Sequence, residues 1–362
     1  MATTVSVAVD ARAQEPAVAD SAGDAVSSQT QGTDRPDEAK RSDGWKPGLA
    51  IGATVNLNDA RSVVGQQEGT TVSLGGVLDG VVDYNSGKHE WRNVLAIMAG
   101  TARTPTIDEF VKTSDKLTFE TTYLLHVYES FGPFTRFGLD TSMFPSNDVR
   151  ASAVDYEVAM LDGTTDEFTG RRLRLTDAFQ PLTLKESLGV FWQPVRMTRV
   201  QLETRAGIGA QETLIEGGLT IDDDDSTDTV ELKELDDTFA VGGELLFNVW
   251  GFFDEDKRAS YSLGIGVLFP FVTSSLADGD ERGLGELTTV EGSLALNAKL
   301  FDWASLGYRL DVDRNPLLLD EFQVTNNLLL TIGAAFGSKA PVPPPKKTPC
   351  DCAAQAGVQE VP

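Results

Sequence analysis

From Trp45 to Phe336 the chain repeats one pattern, in which runs of roughly ten residues alternate apolar side chains with polar or small ones. The stretch 259–272 carries it most cleanly. Tyr261, Leu263, Ile265, Val267, Phe269 and Phe271 share one face, and Ser260, Ser262, Gly264 and Gly266 share the other. An apolar face with aromatics at both ends suits lipid, and a face of serine and glycine suits a crowded or watery interior. About twelve such segments follow one another, at 49–57, 71–84, 91–102, 117–128, 134–143, 182–192, 200–214, 239–250, 259–272, 289–300, 306–313 and 324–336. Most have the roughly 9 to 11 residues that a tilted barrel strand needs to cross a bilayer.

Alternation alone would also suit a soluble β-sandwich, so the connections decide. Those at 85–90, 129–133, 194–198, 253–258 and 301–304 are short, and each follows an even-numbered segment. Those at 58–70, 103–116, 144–181, 215–238 and 273–288 are longer, and 314–323 is intermediate. Short turns on one side, long loops on the other and both ends on the short side is the arrangement of an outer-membrane barrel. Greek-key links have no reason to sort loop length this way. The expected fold is therefore all-β: an antiparallel up-and-down transmembrane β-barrel of about 12 strands, spanning 45–337. Within the longest loop, 154–160 and 171–175 could form an extra hairpin.

The flanks read differently. Residues 1–44 are rich in Ala, Asp, Ser and Gln and read as a disordered segment. Ala11-Arg12-Ala13 resembles a signal-peptidase site without its basic and apolar regions, so this segment is either a signal-peptide remnant or an Ala-rich tail. Residues 338–362 open with a Pro-rich run that cannot join a sheet, and the expected reading is a periplasmic tail that a periplasmic partner could bind. Cys350-Asp351-Cys352 in that tail is a weak metal or thiol-exchange motif.

The net charge of −25 argues against nucleic acid as a partner. The expected partners are membrane lipid and lipopolysaccharide, and the expected location is a Gram-negative outer membrane with both termini periplasmic. No cofactor is expected. Charged residues on the non-apolar faces are the site candidates: Arg92, Glu120, His126, Arg136, Asp140, Glu203, Arg205, Glu244, Glu291, Lys299, Arg309 and Asp311, with Asp79, Asp83 and Lys185 beside them. Inside a barrel such charges must be solvated or paired. They would either line a narrow pore or fill a closed lumen, because twelve strands lie between packed eight-stranded barrels and aqueous sixteen-stranded porins.

Asp222, Asp223, Asp224 and Asp225 could ligate calcium, but they lack the glycine turn and terminal glutamate of an EF-hand loop, so a solvated acidic loop is the expectation. Catalysis has thin support. The chain has two histidines, and a lipid-modifying enzyme would need His126, with Ser142 as a conceivable interior partner. A passive channel or a structural, binding barrel is the main reading; a lipid-modifying barrel and a soluble ligand carrier are the alternatives.

Asp83-Tyr84, Lys88 and Trp91-Arg92-Asn93, followed by Lys112-Thr113-Ser114-Asp115-Lys116-Leu117, resemble a domain-of-unknown-function family of Gram-negative outer-membrane β-barrels. Its members look similar in having a Trp-x-Asn strand start and a Lys-Thr-x-Asp strand entry. The likeness covers mainly residues 70–145, and it implies a barrel fold and no established activity.

Overall fold

The computed structural model describes residues 43–60, 69–197, 199–222, 227–274, 282–301 and 303–337. The segments 1–42 and 338–362, with Cys350 and Cys352, lie outside the described residues, as do Asp223, Asp224 and Asp225. The described chain forms β1 (Gly44–Ala60), β2 (Gly69–Ser86), β3 (His89–Thr104), β4 (Ile107–Leu125), β5 (Phe131–Thr141), β6 (Ser146–Ala159), β7 (Thr165–Thr176) and β8 (Leu182–Met197). It continues as β9 (Val200–Leu214), β10 (Leu219–Ile221), β11 (Val230–Glu234), β12 (Thr238–Phe252), β13 (Ala259–Thr273), β14 (Thr289–Phe301), β15 (Ala304–Asn315) and β16 (Leu319–Gly337).

Twelve of these strands close into an antiparallel barrel in the order β1-β16-β15-β14-β13-β12-β9-β8-β5-β4-β3-β2. Chain order and ring order therefore agree, once β6, β7, β10 and β11 are set aside as a separate four-stranded sheet. Closure comes from the β1/β16 seam, which runs from Gly48↔Gly337 to Ala53↔Ile332. Gly44 pairs with Asn85, beside the turn at Gly87, so both ends of the barrel wall lie at its short-turn rim.

Side-chain alternation follows the ladder. Along β13, Ser260, Ser262, Gly264, Leu268 and Pro270 are buried, while Ile265, Phe269 and Phe271 are exposed outward. The same split recurs in β8, where Leu188, Val190 and Trp192 point out and Ser187, Phe191 and Gln193 point in. From Tyr261 to Phe271 the outward face runs about 33 Å at about 3.3 Å per residue. A tilt near 40° leaves about 25 Å along the barrel axis, which is the height of an outer-membrane apolar band.

Two connections differ from expectation. Residues 103–116 are mostly strand: β3 runs to Thr104 and β4 starts at Ile107, so the connection shrinks to Pro105-Thr106. Likewise 314–323 reduces to the turn Pro316–Leu318. The cause is the same in both. A ladder that continues past the hydrocarbon core runs among headgroups and water, and it loses its apolar alternation while keeping its hydrogen bonds. Bulges at Gly100/Thr101 and Asp313/Asn315 add local shifts that hide the period further.

The two longest connections are partly structured. The hairpin inside 144–181 is present as β6/β7, and 215–238 contributes β10 and β11 to the same sheet. Strand β11 pairs parallel to β6, with Leu232 opposite Val158. Tyr156, Val158, Leu175, Val230 and Leu232 form a small core of its own, and β10 lies close to β7, so the sheet curls over that core.

Candidate functional site

The interior charges meet one another across the lumen. Arg92 on β3 donates through Nε to Glu90 at 2.5 Å and through Nη1 to Glu203 on β9 at 2.8 Å. Strands β4, β5 and β8 stand between β3 and β9 in the ring, so this bond spans the barrel interior. Glu203 is fully buried and also accepts from Gln193 and, at 2.7 Å, from Arg205 Nε. Arg205 in turn reaches Glu120 on β4 at 3.9 Å and lies 5.7 Å from the centre of the Phe134 ring. Below this layer, His126 Nε2 lies 2.8 Å from Glu90 Oε2 and Nδ1 lies 3.2 Å from the Glu129 carbonyl. Phe191 meets the imidazole edge-on at 4.8 Å and packs with Leu124 and Phe134.

A second tier lies toward the long-loop side. Arg136 on β5 donates to Glu244 on β12 at 2.9 Å and comes within 3.8 Å of Glu120. Lys185 on β8 donates to Glu291 on β14 at 2.7 Å and lies 3.5 Å from Asp140. Arg136, Lys185, Glu244 and Glu291 line a small, partly open cavity of about 20 Å³, room for about one water. On the opposite wall Arg309 pairs with Asp311 at 2.7 Å, both buried. Lys299 is apart from the rest: it is exposed at the short-turn end of β14.

Burial separates a packed interior from a water-filled one. Arg92 is 5% exposed, Arg205 2% and His126 2%, alongside Glu203. Side chains on the wall of a wide aqueous bore would be wet, so at this level the lumen is filled. The members missing from the charged-residue set are Glu90, Thr122, Phe191 and Gln193. Strand parity points to each of the last three, but Glu90 falls in what reads as a turn from sequence.

Ser142 and His126 do not meet. Ser142 donates to the Asp115 carbonyl at 3.3 Å. Thr141, its neighbour, is in register with Leu117, nine residues from His126 and so about 30 Å away along the strand. Of the acidic run, Asp222 ion-pairs with Lys233 at 3.1 Å.

Two local networks explain the motif residues of 83–117. Trp91 Nε1 donates to Thr121 Oγ1 at 2.6 Å, Thr121 donates to Asn93 Oδ1 at 2.8 Å, and Asn93 Nδ2 donates to the Val82 carbonyl at 2.8 Å. This chain of bonds ties β2, β3 and β4 together on the outer wall. Asp115 accepts from the amides of Met143 at 3.0 Å and Phe144 at 2.8 Å, where the chain leaves β5. Lys112 holds Asp115 at 3.1 Å and the Phe144 carbonyl at 3.0 Å.

Aromatics crowd the short-turn rim of the outer wall. Trp45 packs on Tyr84 at 4.7 Å and on Trp91 at 6.5 Å, Phe301 stacks on Trp303 at 5.3 Å, and Phe253 lies 4.8 Å from Tyr261. Tyr261 also donates to the Arg199 carbonyl at 2.8 Å. Such amphipathic rings suit the boundary between lipid and water.

Among solved structures, an outer membrane channel from Pseudomonas putida F1 is 13% identical, with 84% of this chain and 99% of that one covered and a TM-score of 0.37. The translocator domain of an autotransporter from Neisseria meningitidis is 11% identical over 82% of this chain and 90% of that one, with a TM-score of 0.31. The architecture stated above rests on the strand ladder and not on these likenesses. No curated protein matches the chain. Residues 65–146, which contain Trp91, Asn93, Lys112 and Asp115, match the family described as protein of unknown function (DUF3078).

Proposed function

We propose that the chain is an outer-membrane β-barrel whose lumen is held closed by a buried ion-pair network, and that it works as a structural and binding barrel and not as an open pore. One observation carries this reading: Arg92 and Glu203 bond across the interior while almost wholly excluded from water. A membrane setting is supported by the continuous outward apolar face and its aromatic rim. The usual orientation of such barrels then puts the short turns and both ends of the wall in the periplasm, and the four-stranded sheet at the cell surface.

Single-channel recording in a planar bilayer tests the closed lumen. Purified barrel, shown by heat-modifiable migration to be folded, should insert without steady conductance. A stable open level in the wild-type protein overturns the reading. A gated channel is the second reading, favoured by the makeup of the plug: it consists of side chains from the wall itself, which a rearrangement of ion pairs could open. Voltage-dependent openings in otherwise silent wild-type barrels would favour it.

A further inference from the structure

Outside the barrel, at the long-loop end, lies a pocket of about 480 Å³ between the wall of β2, β3 and β4 and the β6/β7 hairpin. Its size is that of a small-molecule site. Leu74, Thr101 and Lys112 stand in register across the three strands. Leu74 has the parity of the exposed Val82, so this row faces outward, at the level where the apolar band of the proposed bilayer gives way to headgroups. The Asp115 clamp on Met143 and Phe144 holds the departing chain over the wall and so builds the roof.

The lining is apolar at Leu74, Ala99 and Phe110 on the wall and at Phe144 on the roof, and it carries two cations, Lys112 on the wall strand β4 and Arg172 on the hairpin strand β7. Phe110 and Phe144 are about half exposed, which makes the pocket continuous with the outward apolar surface. An ammonium has three N–H groups. Lys112 directs two at Asp115 and the Phe144 carbonyl, which leaves a donor for an acceptor in the pocket. Arg172 reaches Glu109 only at 3.4 Å and from one nitrogen, and its side chain is more than half exposed.

We propose that this pocket seats one acyl chain of an anionic glycolipid of the outer leaflet, the wall taking the chain and Lys112 with Arg172 taking a phosphate. An apolar cleft on the outward wall that carries one cation on the wall and one on the hairpin fits an anionic amphiphile in a chain of net charge −25. The assignment rests on the outer-membrane reading above.

Native mass spectrometry of the detergent-purified barrel with added lipid A, phosphatidylcholine or inorganic phosphate tests it. One lipid A molecule should survive detergent exchange, phosphatidylcholine should be lost, and phosphate should not compete. Arg172→Gln should weaken retention about tenfold, the size of one charge-assisted hydrogen bond. Leu74→Trp, which fills the cleft from the wall between the uncharged partners Thr101 and Val55, should abolish it while heat-modifiable migration persists. Equal retention by both variants, equal retention of phosphatidylcholine, or competition by free phosphate overturns the assignment. A barrel that inserts into liposomes yet retains no lipid A refutes the pocket alone, whereas one that fails to insert refutes the membrane reading with it.

Discussion

Replacing Glu203 by alanine asks how dry the lumen is. Two guanidinium groups converge on this carboxylate, Arg92 Nη1 at 2.8 Å and Arg205 Nη2 at 2.6 Å. At a charge separation near 4 Å each attraction is worth about 4 kcal/mol in a protein-like dielectric and about 1 kcal/mol in bulk water. Removing the carboxylate leaves two cations facing Glu90 and Glu120, with the Glu203 share of their compensation gone. If the interior is packed, Glu203→Ala costs about 3–5 kcal/mol, the usual loss on breaking a buried pair. If the interior is an aqueous bore, water replaces the carboxylate and the loss stays under about 1 kcal/mol.

Reversible urea unfolding of the barrel from lipid vesicles, followed by tryptophan emission, measures the difference directly. The same variant in a planar bilayer should admit water and ions at the gap and show conductance that the wild type lacks. Glu203→Gln keeps the volume and part of the hydrogen bonding, and should fall between the two. A loss below about 1 kcal/mol for Glu203→Ala, with wild-type electrical behaviour, refutes the closed-lumen account.

Three further outcomes follow from other parts of the molecule. Asp115→Ala removes two charge-assisted acceptors for the Met143 and Phe144 amides; it should cost about 1–3 kcal/mol and open the 142–146 segment to protease while the barrel stays folded. Leu232→Ala, at a site 2% exposed in the core of the four-stranded sheet, should cost that sheet about 2–5 kcal/mol and leave heat-modifiable migration of the barrel unchanged. Burial first, and then the bond from its hydroxyl to Asp148, push the Tyr156 phenol up to about 12. Folding therefore favours the protonated phenol: its contribution is fully present below an unfolded value near 10 and is lost as pH rises through about 12. Tyrosinate absorbance and loosening of the surface sheet should rise together in that window and separate in Tyr156→Phe.

The barrel was readable because a lipid-facing wall imposes one rule on every strand. Leu188, Val190 and Trp192 must be apolar, while Ser187, Phe191 and Gln193 obey the interior, and period two follows. The rule stops where the hydrocarbon core stops. Thr104 to Asp115 is ladder without apolar alternation, and the bulge at Gly100/Thr101 changes which side chains face out, so this stretch reads as a loop. The surface sheet was half readable for a related reason. The β6/β7 hairpin is local, but β10 and β11 are three and five residues long, and β11 finds its partner β6 through a parallel pairing some seventy residues distant, Val230↔Tyr156.

The same limit governs the lumen. Parity alone sends Arg92, Glu120, Arg136, Glu203, Arg205 and Glu244 inward, but which of them meet is decided by strand stagger around the ring, a property of closure and not of any segment. Arg92 and Glu203 are 111 residues apart, and no spacing in the chain links them. Parity also selects Lys299, yet its place at the end of β14 leaves it exposed beyond the network. Height along the barrel therefore matters as much as face: inward charges near mid-wall become plug, and those at the rim stay in water. The plug gathers on β3, β4, β5, β8, β9 and β12, one continuous arc of the wall, and the Arg309–Asp311 pair on β15 stands across from it. A rearrangement that opens the lumen must separate that arc from the remaining wall, so Lys185–Glu291, the bond reaching out of the arc to β14, is the one whose loss would precede conduction.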